Sequence, residues 1–307
     1  ELWSPVVKRA TEFCIKMKDQ NISWYADMRV DRIKPELIPH LKASGLDVVF
    51  FGLESADNKV LKSMKKNITI EKTEAALKNK NDMTNIPFID LNAQRARIEK
   101  EIDKAVLGAV HGGAYIMGPQ VKQLEKDLAE FAGAKHCISC SSGTDSLLMF
   151  LMSQNLKQND VVFVPDFTFI ATAEVVSMVG AQTFAVDVEK DTFNLDPQEL
   201  QNAVLSAKEK GLNPVGVIPV DLFGHPADYE AIKKISDEHG LWIMADSAQG
   251  FGGSLNGKKV GQWGDITSTS FFPAKPLGCY GDGGALFTDN DELADVLKSL
   301  RVHGKGT

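Results

Sequence analysis

Apolar and polar positions follow two different patterns along the chain, and the patterns meet near residue 82. In the first 78 residues, short apolar runs alternate with helical spacing and predict a strand–helix series. The predicted strands are residues 22–30 and 47–52, and the predicted helices are residues 5–19, 35–43 and 58–64. Such a series is typical of a fragment of a parallel α/β sheet or barrel. The stretch 79–85 is polar and lacks periodicity, which predicts a linker.

Residues 86–307 carry a longer series of elements. The spacing predicts an amphipathic helix from about Ala93 to Val110 and a second helix from Pro119 to Ala132. Strands and helices then alternate through Cys137–Ser139, Asp145–Gln154, Val161–Val164, Phe169–Met178, Gln182–Val186, Pro197–Lys210, Val215–Val220, Asp228–His239, Leu241–Ala245, Ile266–Phe271, Gly284–Thr288 and Asp291–Val302. Continuous apolar runs such as Val161–Val164 suit strands that are buried on both faces of a parallel sheet. The sequence therefore predicts an α/β fold with helices on both faces of a mostly parallel sheet.

Composition narrows the classes of function. Hydrophobic residues make up 43% and charged residues 24% of the 307 residues, as in an ordinary globular protein. The net charge of −7 disfavours a nucleic-acid partner. The charge is unevenly distributed: residues 1–82 contain 15 basic and 12 acidic residues, a net charge of +3, which leaves −10 for residues 83–307. No apolar run is long enough to span a membrane, and no signal peptide is evident. Four cysteines do not predict a disulfide framework, so we expect a cytoplasmic protein.

Metal chemistry is not predicted either. Cys137 and Cys140 have the spacing of a redox or zinc pair, but the sequence offers no second pair, and Cys137 falls on an apolar strand. We interpret both cysteines as small buried hydrophobic residues. The six histidines do not cluster in the sequence.

Three polar features interrupt the apolar pattern of residues 86–307. Ser142-Gly143-Thr144 follows a predicted strand and opens a predicted helix, where free backbone N–H groups and the helix dipole favour an anion. Asp246 ends an apolar strand, where ligands of α/β sheets bind, and an ionised carboxylate there needs a positive partner. Lys275 follows 29 positions later in the otherwise apolar segment 271–277, where burial lowers the pKa of an amine and favours a nucleophile.

Each feature has a purely structural alternative. Ser142 or Thr144 could cap the helix, Asp246 could cap a turn, and the ammonium of Lys275 could reach solvent. Together, however, a phosphate cradle, a carboxylate and a lysine in this order are the parts that hold pyridoxal phosphate. The carboxylate keeps the pyridine nitrogen protonated, and the lysine forms a Schiff base. The combination therefore predicts an enzyme.

Residues 86–307 resemble the DegT/DnrJ/EryC1/StrS family of pyridoxal-phosphate-dependent nucleotide-sugar aminotransferases, which have fold type I. The matching stretches are Phe88-Ile89-Asp90-Leu91, Ser142-Gly143-Thr144-Asp145-Ser146-Leu147, Phe167-Thr168-Phe169-Ile170-Ala171-Thr172, Asp221-Leu222-Phe223-Gly224, Asp246-Ser247-Ala248-Gln249, Ser270 to Gly278, Gly281-Asp282-Gly283-Gly284-Ala285 and Leu300-Arg301-Val302-His303-Gly304. The resemblance implies the large domain of a fold-type I transferase, with a mostly parallel sheet and helices on both faces.

The resemblance also implies a role for each candidate site residue. Lys275 is the Schiff-base lysine and Asp246 the partner of the pyridinium nitrogen. The phosphate would be held by Gly143, Thr144 and Ser270. Phe169 would stack on the ring, and Gln249 would reach the side of its phenolic oxygen. For Phe169, interpreted from the sequence as an aromatic residue at a strand start, core packing is the structural alternative.

The implied reaction is transamination of a keto-sugar nucleotide for surface polysaccharide synthesis. The segment from Phe271 to Gly284 is most similar to enzymes that aminate a 3-keto UDP-N-acetylhexosamine or its uronic acid, with glutamate as the expected amino donor. Some family members are dehydratases instead, and these typically have histidine in place of the lysine, so Lys275 disfavours that alternative. A non-catalytic regulatory or scaffold protein on the same fold is the alternative from another class.

Two departures from the family pattern bear on activity. Family members continue past the position of Thr307 into a smaller C-terminal domain, so we expect that domain to be missing here. The family's active site also takes residues from the second subunit of a homodimer. Met83 resembles the natural start of the aminotransferase, and we expect residues 1–82 to derive from a neighbouring gene.

Residues 1–78 resemble the middle of a radical S-adenosylmethionine enzyme. The resemblance is carried by Trp24 to Asp31, Pro35 to Ile38 and Phe51-Gly52-Leu53-Glu54-Ser55. In that family the carboxylate that matches Glu54 lies near the bound S-adenosylmethionine, although Glu54 and Ser55 could equally cap the next helix. The three-cysteine motif that holds the family's iron–sulfur cluster is absent from the sequence, so no radical chemistry is predicted.

Overall fold

The computed structural model describes residues 24–28, 40, 43–44, 46–51 and 89–305. The chain divides into two units, Glu1–Phe88 and Ile89–Thr307. In the first unit, strands β1 (Trp24–Met28) and β2 (Leu46–Phe51) pair in parallel, which agrees with the two strands predicted there. The helices predicted at 5–19 and 58–64, most of the helix at 35–43, the linker at 79–85 and Glu54 lie outside the described residues.

The second unit contains helices and strands in alternation. Its helices are α1 (Leu91–Arg97), α2 (Glu99–Gly112), α3 (Pro119–Ala132), α4 (Gly143–Ser153), α5 (Ala171–Met178), α6 (Pro197–Glu209), α7 (Tyr229–His239) and α8 (Asp291–Arg301). Its strands are β3 (His136–Cys140), β4 (Asp160–Pro165), β5 (Gln182–Val186), β6 (Asn213–Val217), β7 (Trp242–Asp246), β8 (Ser254–Leu255), β9 (Lys258–Lys259), β10 (Ile266–Ser270) and β11 (Gly284–Thr288). In the part of the chain that the structure describes, no helix is both long and apolar enough to cross a membrane.

Seven of these strands form one sheet in the order β3-β11-β10-β7-β6-β4-β5. Strand β11 runs antiparallel to both of its neighbours, and the other pairings are parallel. The mostly parallel sheet predicted from the sequence is therefore confirmed. Parallel strands bring their carboxyl ends to one edge of the sheet, which is where ligands of open α/β sheets bind.

The core lies on both faces of this sheet. Along β4, Val162 and Val164 pack into one apolar cluster, which also contains residues of α4, α5 and α8. The alternate residues Val161 and Phe163 pack into a second cluster with α6 and α7. Successive side chains of a strand point to opposite faces, so a strand covered on both sides must be apolar throughout. This is the physical reason for the continuous apolar run at 161–164.

Two local predictions are wrong. The single helix predicted from Ala93 to Val110 is broken at Ile98, whose backbone (φ −129°, ψ 21°) is not helical and whose N–H donates to the Arg95 carbonyl. Isoleucine is stiff at χ1 and has a lower helix propensity than its neighbours, which suits the break. Phe169 is neither at a strand start nor in the core: it lies between β4 and α5 and is 66% exposed.

Both Cys137 and Cys140 were predicted to be buried. Cys137 is buried in β3, as predicted, whereas Cys140 is only half-buried. Burial raises the pKa of both thiols, that of Cys140 to about 12, so each is a neutral thiol near pH 7. Among the described residues, no group of three or more histidine, cysteine or acidic side chains could hold a metal ion.

Candidate active site at the carboxyl edge of the sheet

The candidate site residues come from neighbouring elements at the carboxyl edge of the sheet. Asp246 ends β7 and Ser270 ends the adjacent strand β10. Gly143 begins α4, directly after β3, and Phe169 lies in the loop after β4. These residues span more than 120 positions of sequence, and the strand order is what brings them to one edge.

The start of α4 forms a tight cradle against the end of β10. Ser142 caps the helix by accepting a hydrogen bond from the Asp145 N–H at 3.0 Å. A Cβ at Gly143 would lie 2.6 Å from the Ser270 Cβ, so only glycine lets the helix approach this strand so closely. The first backbone N–H groups of the helix have no partner within the helix, and they sit at the positive end of its dipole. The cradle therefore has the physical properties of an anion site.

Asp246 is a buried carboxylate, 6% exposed, that accepts two hydrogen bonds. Its carboxylate accepts from the Thr172 hydroxyl at 2.9 Å and from the Ala248 N–H at 3.2 Å. Loss of hydration raises the pKa of Asp246, and the hydrogen bonds and the nearby charge of Lys275 act in the opposite direction. Within residues 89–305, no basic side chain forms an ion pair with it. A buried acid in this state favours a cationic ligand.

Lys275 lies in the turn that follows β10. Its backbone N–H donates to the Phe272 carbonyl at 2.8 Å, and the turn closes where a Cβ at Gly278 would meet the Pro273 carbonyl oxygen at 2.3 Å. The side chain is half-buried, and its charge acts on Asp246 across the site. The amine is therefore held on the same side of the sheet edge as the buried carboxylate.

The remaining predicted residues lie on the rim of the site. Phe169 is exposed, two residues before α5 begins. The Gln249 side-chain oxygen accepts from the Phe223 N–H at 2.9 Å, which joins the turn after β7 to the loop after β6. The Ser270 hydroxyl accepts from the Phe272 N–H at 3.2 Å, and Thr144 lies half-buried in the first turn of α4.

Two residues that bond to Asp246, Thr172 and Asp221, were not assigned a role from the sequence. Thr172 donates to the carboxylate, and its hydroxyl also lies 3.1 Å from that of Thr168. Asp221 lies fully buried beside the turn after β7, and its carboxylate accepts a hydrogen bond from the Ser247 hydroxyl. Thr172 and Asp221 both follow buried strands at the same edge as Asp246, and that position is the signal that would have identified them.

A mostly parallel seven-stranded sheet whose carboxyl edge holds an anion cradle, a buried acid and a lysine defines the class: the large domain of a fold-type I pyridoxal-phosphate enzyme. The sequence pattern of the DegT/DnrJ/EryC1/StrS aminotransferase family matches residues 96–307, and the chain belongs to this family. Members of the family depend on pyridoxal phosphate.

Individual relatives agree with this assignment. The chain is 45% identical to a UDP-2-acetamido-2-deoxy-3-oxo-D-glucuronate aminotransferase of Pseudomonas aeruginosa, over 72% of this chain and 60% of that protein. It is 39% identical to a UDP-N-acetyl-3-dehydro-α-D-glucosamine 3-aminotransferase of Acidithiobacillus ferrooxidans, over 72% of this chain and 58% of that protein. A crystal structure of a DegT/DnrJ/EryC1/StrS aminotransferase from Brucella abortus superposes with a TM-score of 0.71 at 49% identity, covering 72% of this chain and 60% of that one. The chain thus spans about three fifths of the length of these relatives.

Proposed function

We propose that this chain is the cofactor-binding part of a pyridoxal-phosphate-dependent aminotransferase that acts on a keto-sugar nucleotide. The observation that carries the proposal is the buried Asp246, which has no bonded cation among residues 89–305 and which shares the sheet edge with Lys275 and the anion cradle of α4. We further propose a 3-keto UDP-N-acetylhexosamine or its uronic acid as substrate and glutamate as amino donor. The two UDP-sugar aminotransferases among its relatives support this substrate class.

The site residues fit the chemical groups of pyridoxal phosphate. The N-terminus of α4 at Gly143 and Thr144, with the hydroxyl of Ser270, offers donors and a positive dipole to a phosphate. Asp246 offers a negative charge to a protonated ring nitrogen, which would remove the unfavourable state of an unpaired buried acid. The exposed ring of Phe169 is free to cover an aromatic face.

When bound, pyridoxal phosphate supplies an electron sink for the carbon that loses or gains a proton. Lys275 would supply the amine that attaches the cofactor and the base that moves a proton at the substrate carbon. Asp246 would stabilise the positive charge of a protonated ring nitrogen, and Thr172 holds the Asp246 carboxylate in place. Gln249, tied to the Phe223 N–H, borders the site on the side of the loop after β6.

We also propose that the protein works as a cytoplasmic homodimer. Support comes from the apolar residues that α2 and the loop after it leave exposed. Val106, Leu107 and Val110 are each more than half exposed, and Ile116 is 90% exposed. Clusters of exposed aliphatic residues typically mark an interaction surface. A second copy of the chain, as the family resemblance implies, is the proposed partner. Light scattering, which reports the mass of the particle in solution, tests the proposed dimer directly.

The proposed function is tested by absorbance spectroscopy of the purified chain with pyridoxal phosphate, in wild type and in Lys275→Ala. We expect a visible absorption band in the wild type that borohydride fixes as a covalent adduct, with the adduct mapped to Lys275 by mass spectrometry. Lys275→Ala should lose both the band and the adduct.

The matched control is Lys233→Ala, an exposed lysine on α7 that pairs with Asp237 one helical turn away. This variant should form the adduct as the wild type does. A folded wild type that forms no adduct would refute the proposed chemistry and favour a regulatory or scaffold role. If the adduct forms, conversion of keto-sugar nucleotides with glutamate then identifies the substrate.

A further inference from the structure

Asp221 is a second buried carboxylate directly behind Asp246. Its side chain is fully buried, and its backbone N–H donates to the Asp246 carbonyl at 3.0 Å. Val220, the residue before it, forms an isolated parallel bridge with Asp246. Asp221 therefore lies in the loop after β6, beside the end of β7 at the carboxyl edge of the sheet.

The surroundings of Asp221 are built for an ionised carboxylate. One of its oxygens accepts from the Tyr229 hydroxyl at 2.7 Å and from the Ala227 N–H at 3.1 Å, and the other accepts from the Ser247 hydroxyl. An ionised carboxylate accepts all three hydrogen bonds, whereas a protonated acid must donate at one of its oxygens. Hydrogen bonds to a charged acceptor are also the stronger kind.

Asp221 also fixes the turn that carries Asp246 and Gln249. The turn passes so close that a Cβ at Gly250 would lie 2.5 Å from the Asp221 Cβ. The Ser247 hydroxyl bonds to the Asp221 carboxylate, and Gln249 bonds to the Phe223 N–H, two residues after Asp221. A shift of Asp221 would therefore move both residues that the proposed function places beside the cofactor ring.

Two acids lie close together in this corner, and within residues 89–305 no basic side chain forms an ion pair with either, although the charge of Lys275 acts on Asp246. The titratable groups that face Asp221 are Asp246 from β7 and the Tyr229 hydroxyl from α7. Loss of hydration raises the pKa of both acids, and the charge of Asp246 raises that of Asp221 further. The hydrogen bonds from Ser247, Tyr229 and Ala227 lower the pKa of Asp221 but do not cancel the effect of burial. A cation entering beside Asp246 would therefore be stabilised by both charges.

We propose that Asp221 is a positioning residue of the cofactor site: its carboxylate holds the turn after β7 and adds a second negative charge that stabilises the protonated ring nitrogen. The inference rests on the proposed function, because the cation that it invokes is that of pyridoxal phosphate. Asp221 does not touch the cofactor in this role; it acts through Asp246 and through the turn 247–250.

The test compares two ligands, pyridoxal phosphate and 1-deazapyridoxal phosphate, in which a carbon replaces the ring nitrogen. Binding of each to the full chain is measured by absorbance titration for wild type, Asp221→Asn and Ser247→Ala. Asp221→Asn keeps the shape of the side chain, removes the charge and leaves one end that cannot accept a hydrogen bond. We expect its loss of affinity for pyridoxal phosphate to exceed its loss of affinity for the deaza ligand by about tenfold. Ser247→Ala keeps the charge and removes one hydrogen bond, so it should affect both ligands equally.

Each other outcome contradicts the inference in a distinguishable way. Equal losses for both ligands in Asp221→Asn would mean that the carboxylate only supports the structure, and unchanged binding would mean that it supports neither ligand. An Asp221→Asn variant that fails to fold would also overturn the inference, because the carboxylate would then be needed for the fold itself. A wild type that binds neither ligand would overturn the proposed function, and this inference with it.

Discussion

The charge of Asp221 makes a quantitative prediction about the protein without cofactor. Burial raises the pKa of this acid to about 6 from its ordinary value of 3.8. Since one pKa unit corresponds to about 1.4 kcal/mol, the ionised side chain destabilises the folded state by about 3 kcal/mol at pH 8. Asparagine resembles the protonated acid in shape and carries no charge, but its amide nitrogen cannot accept a hydrogen bond, so it does not replace every acceptor that Asp221 offers. The cost of that lost acceptor does not depend on ionisation, whereas the cost of the charge does. From pH 4 to pH 8, the free energy of unfolding of Asp221→Asn should therefore rise by up to about 3 kcal/mol relative to the wild type.

The pH dependence of this effect has a definite sign. Because the pKa of Asp221 is higher in the folded protein than in the unfolded chain, the folded state binds more protons between about pH 4 and pH 6. The contribution of this group to stability is thus largest at low pH and is lost as the pH rises through about 6. The free energy of unfolding of Asp221→Asn, taken relative to the wild type, should therefore be highest at pH 8 and fall as the pH approaches 4.

Denaturant unfolding of the cofactor-free chain, followed by tryptophan fluorescence at several pH values, measures this difference. Trp263 is a suitable reporter because its ring stacks on Tyr229, a hydrogen-bond partner of Asp221, with centroids 5.2 Å apart. The control is Asp237→Asn, which removes an exposed acid from α7, the helix that carries Tyr229. This variant should change stability little at any pH. A difference in the free energy of unfolding between Asp221→Asn and the wild type that does not vary between pH 4 and pH 8 would refute the reasoning.

Two further substitutions test the walls of the site. Gly143→Ala would place a Cβ 2.6 Å from that of Ser270. Forcing α4 and β10 apart should cost about 1–3 kcal/mol of stability and weaken pyridoxal phosphate binding. Thermal unfolding should show that adding Ser270→Gly restores part of the stability. Thr172→Val removes the hydroxyl that donates to Asp246 at 2.9 Å. A buried acceptor left without its donor costs about 1–3 kcal/mol, so denaturant unfolding at pH 8 should show this loss, whereas Thr172→Ser should keep most of the stability.

Much of the fold of residues 89–305 could be predicted from local pattern. Helix α3 begins at Pro119 and ends at Ala132 as predicted, because proline suits the first helical turn and Gly133 adopts the left-handed conformation (φ 72°) that ends the helix. Strand β11, at Gly284–Thr288, also has its predicted bounds. In these segments the residues that decide the structure are neighbours in the sequence.

Features that depend on distant contacts were missed. The hairpin of β8 and β9 is short and polar and carries no apolar alternation that would reveal it. The hydrogen bond between Ser247 and Asp221 joins residues 26 positions apart that follow neighbouring strands. No spacing rule indicates that β6 lies beside β7, so the sequence predicts a role for Asp246 but gives no sign of the second acid near it.

The strand order also explains why these residues can serve one ligand. Along the carboxyl edge, β10 ends at the anion cradle with Ser270, its neighbour β7 ends at Asp246, and β4, two strands further, leads to Phe169. Adjacent strands lie about 4.8 Å apart, so the cradle and the acid are separated by about the width of a small ring. A planar ligand with a phosphate on one side and a basic nitrogen on the other would contact both at once. Asp221, on the β6 side, would add its charge near the position of that nitrogen. Its buried charge destabilises the folded protein when no ligand is bound. An acid that lowers stability in this way is typical of a position selected for binding rather than for the fold.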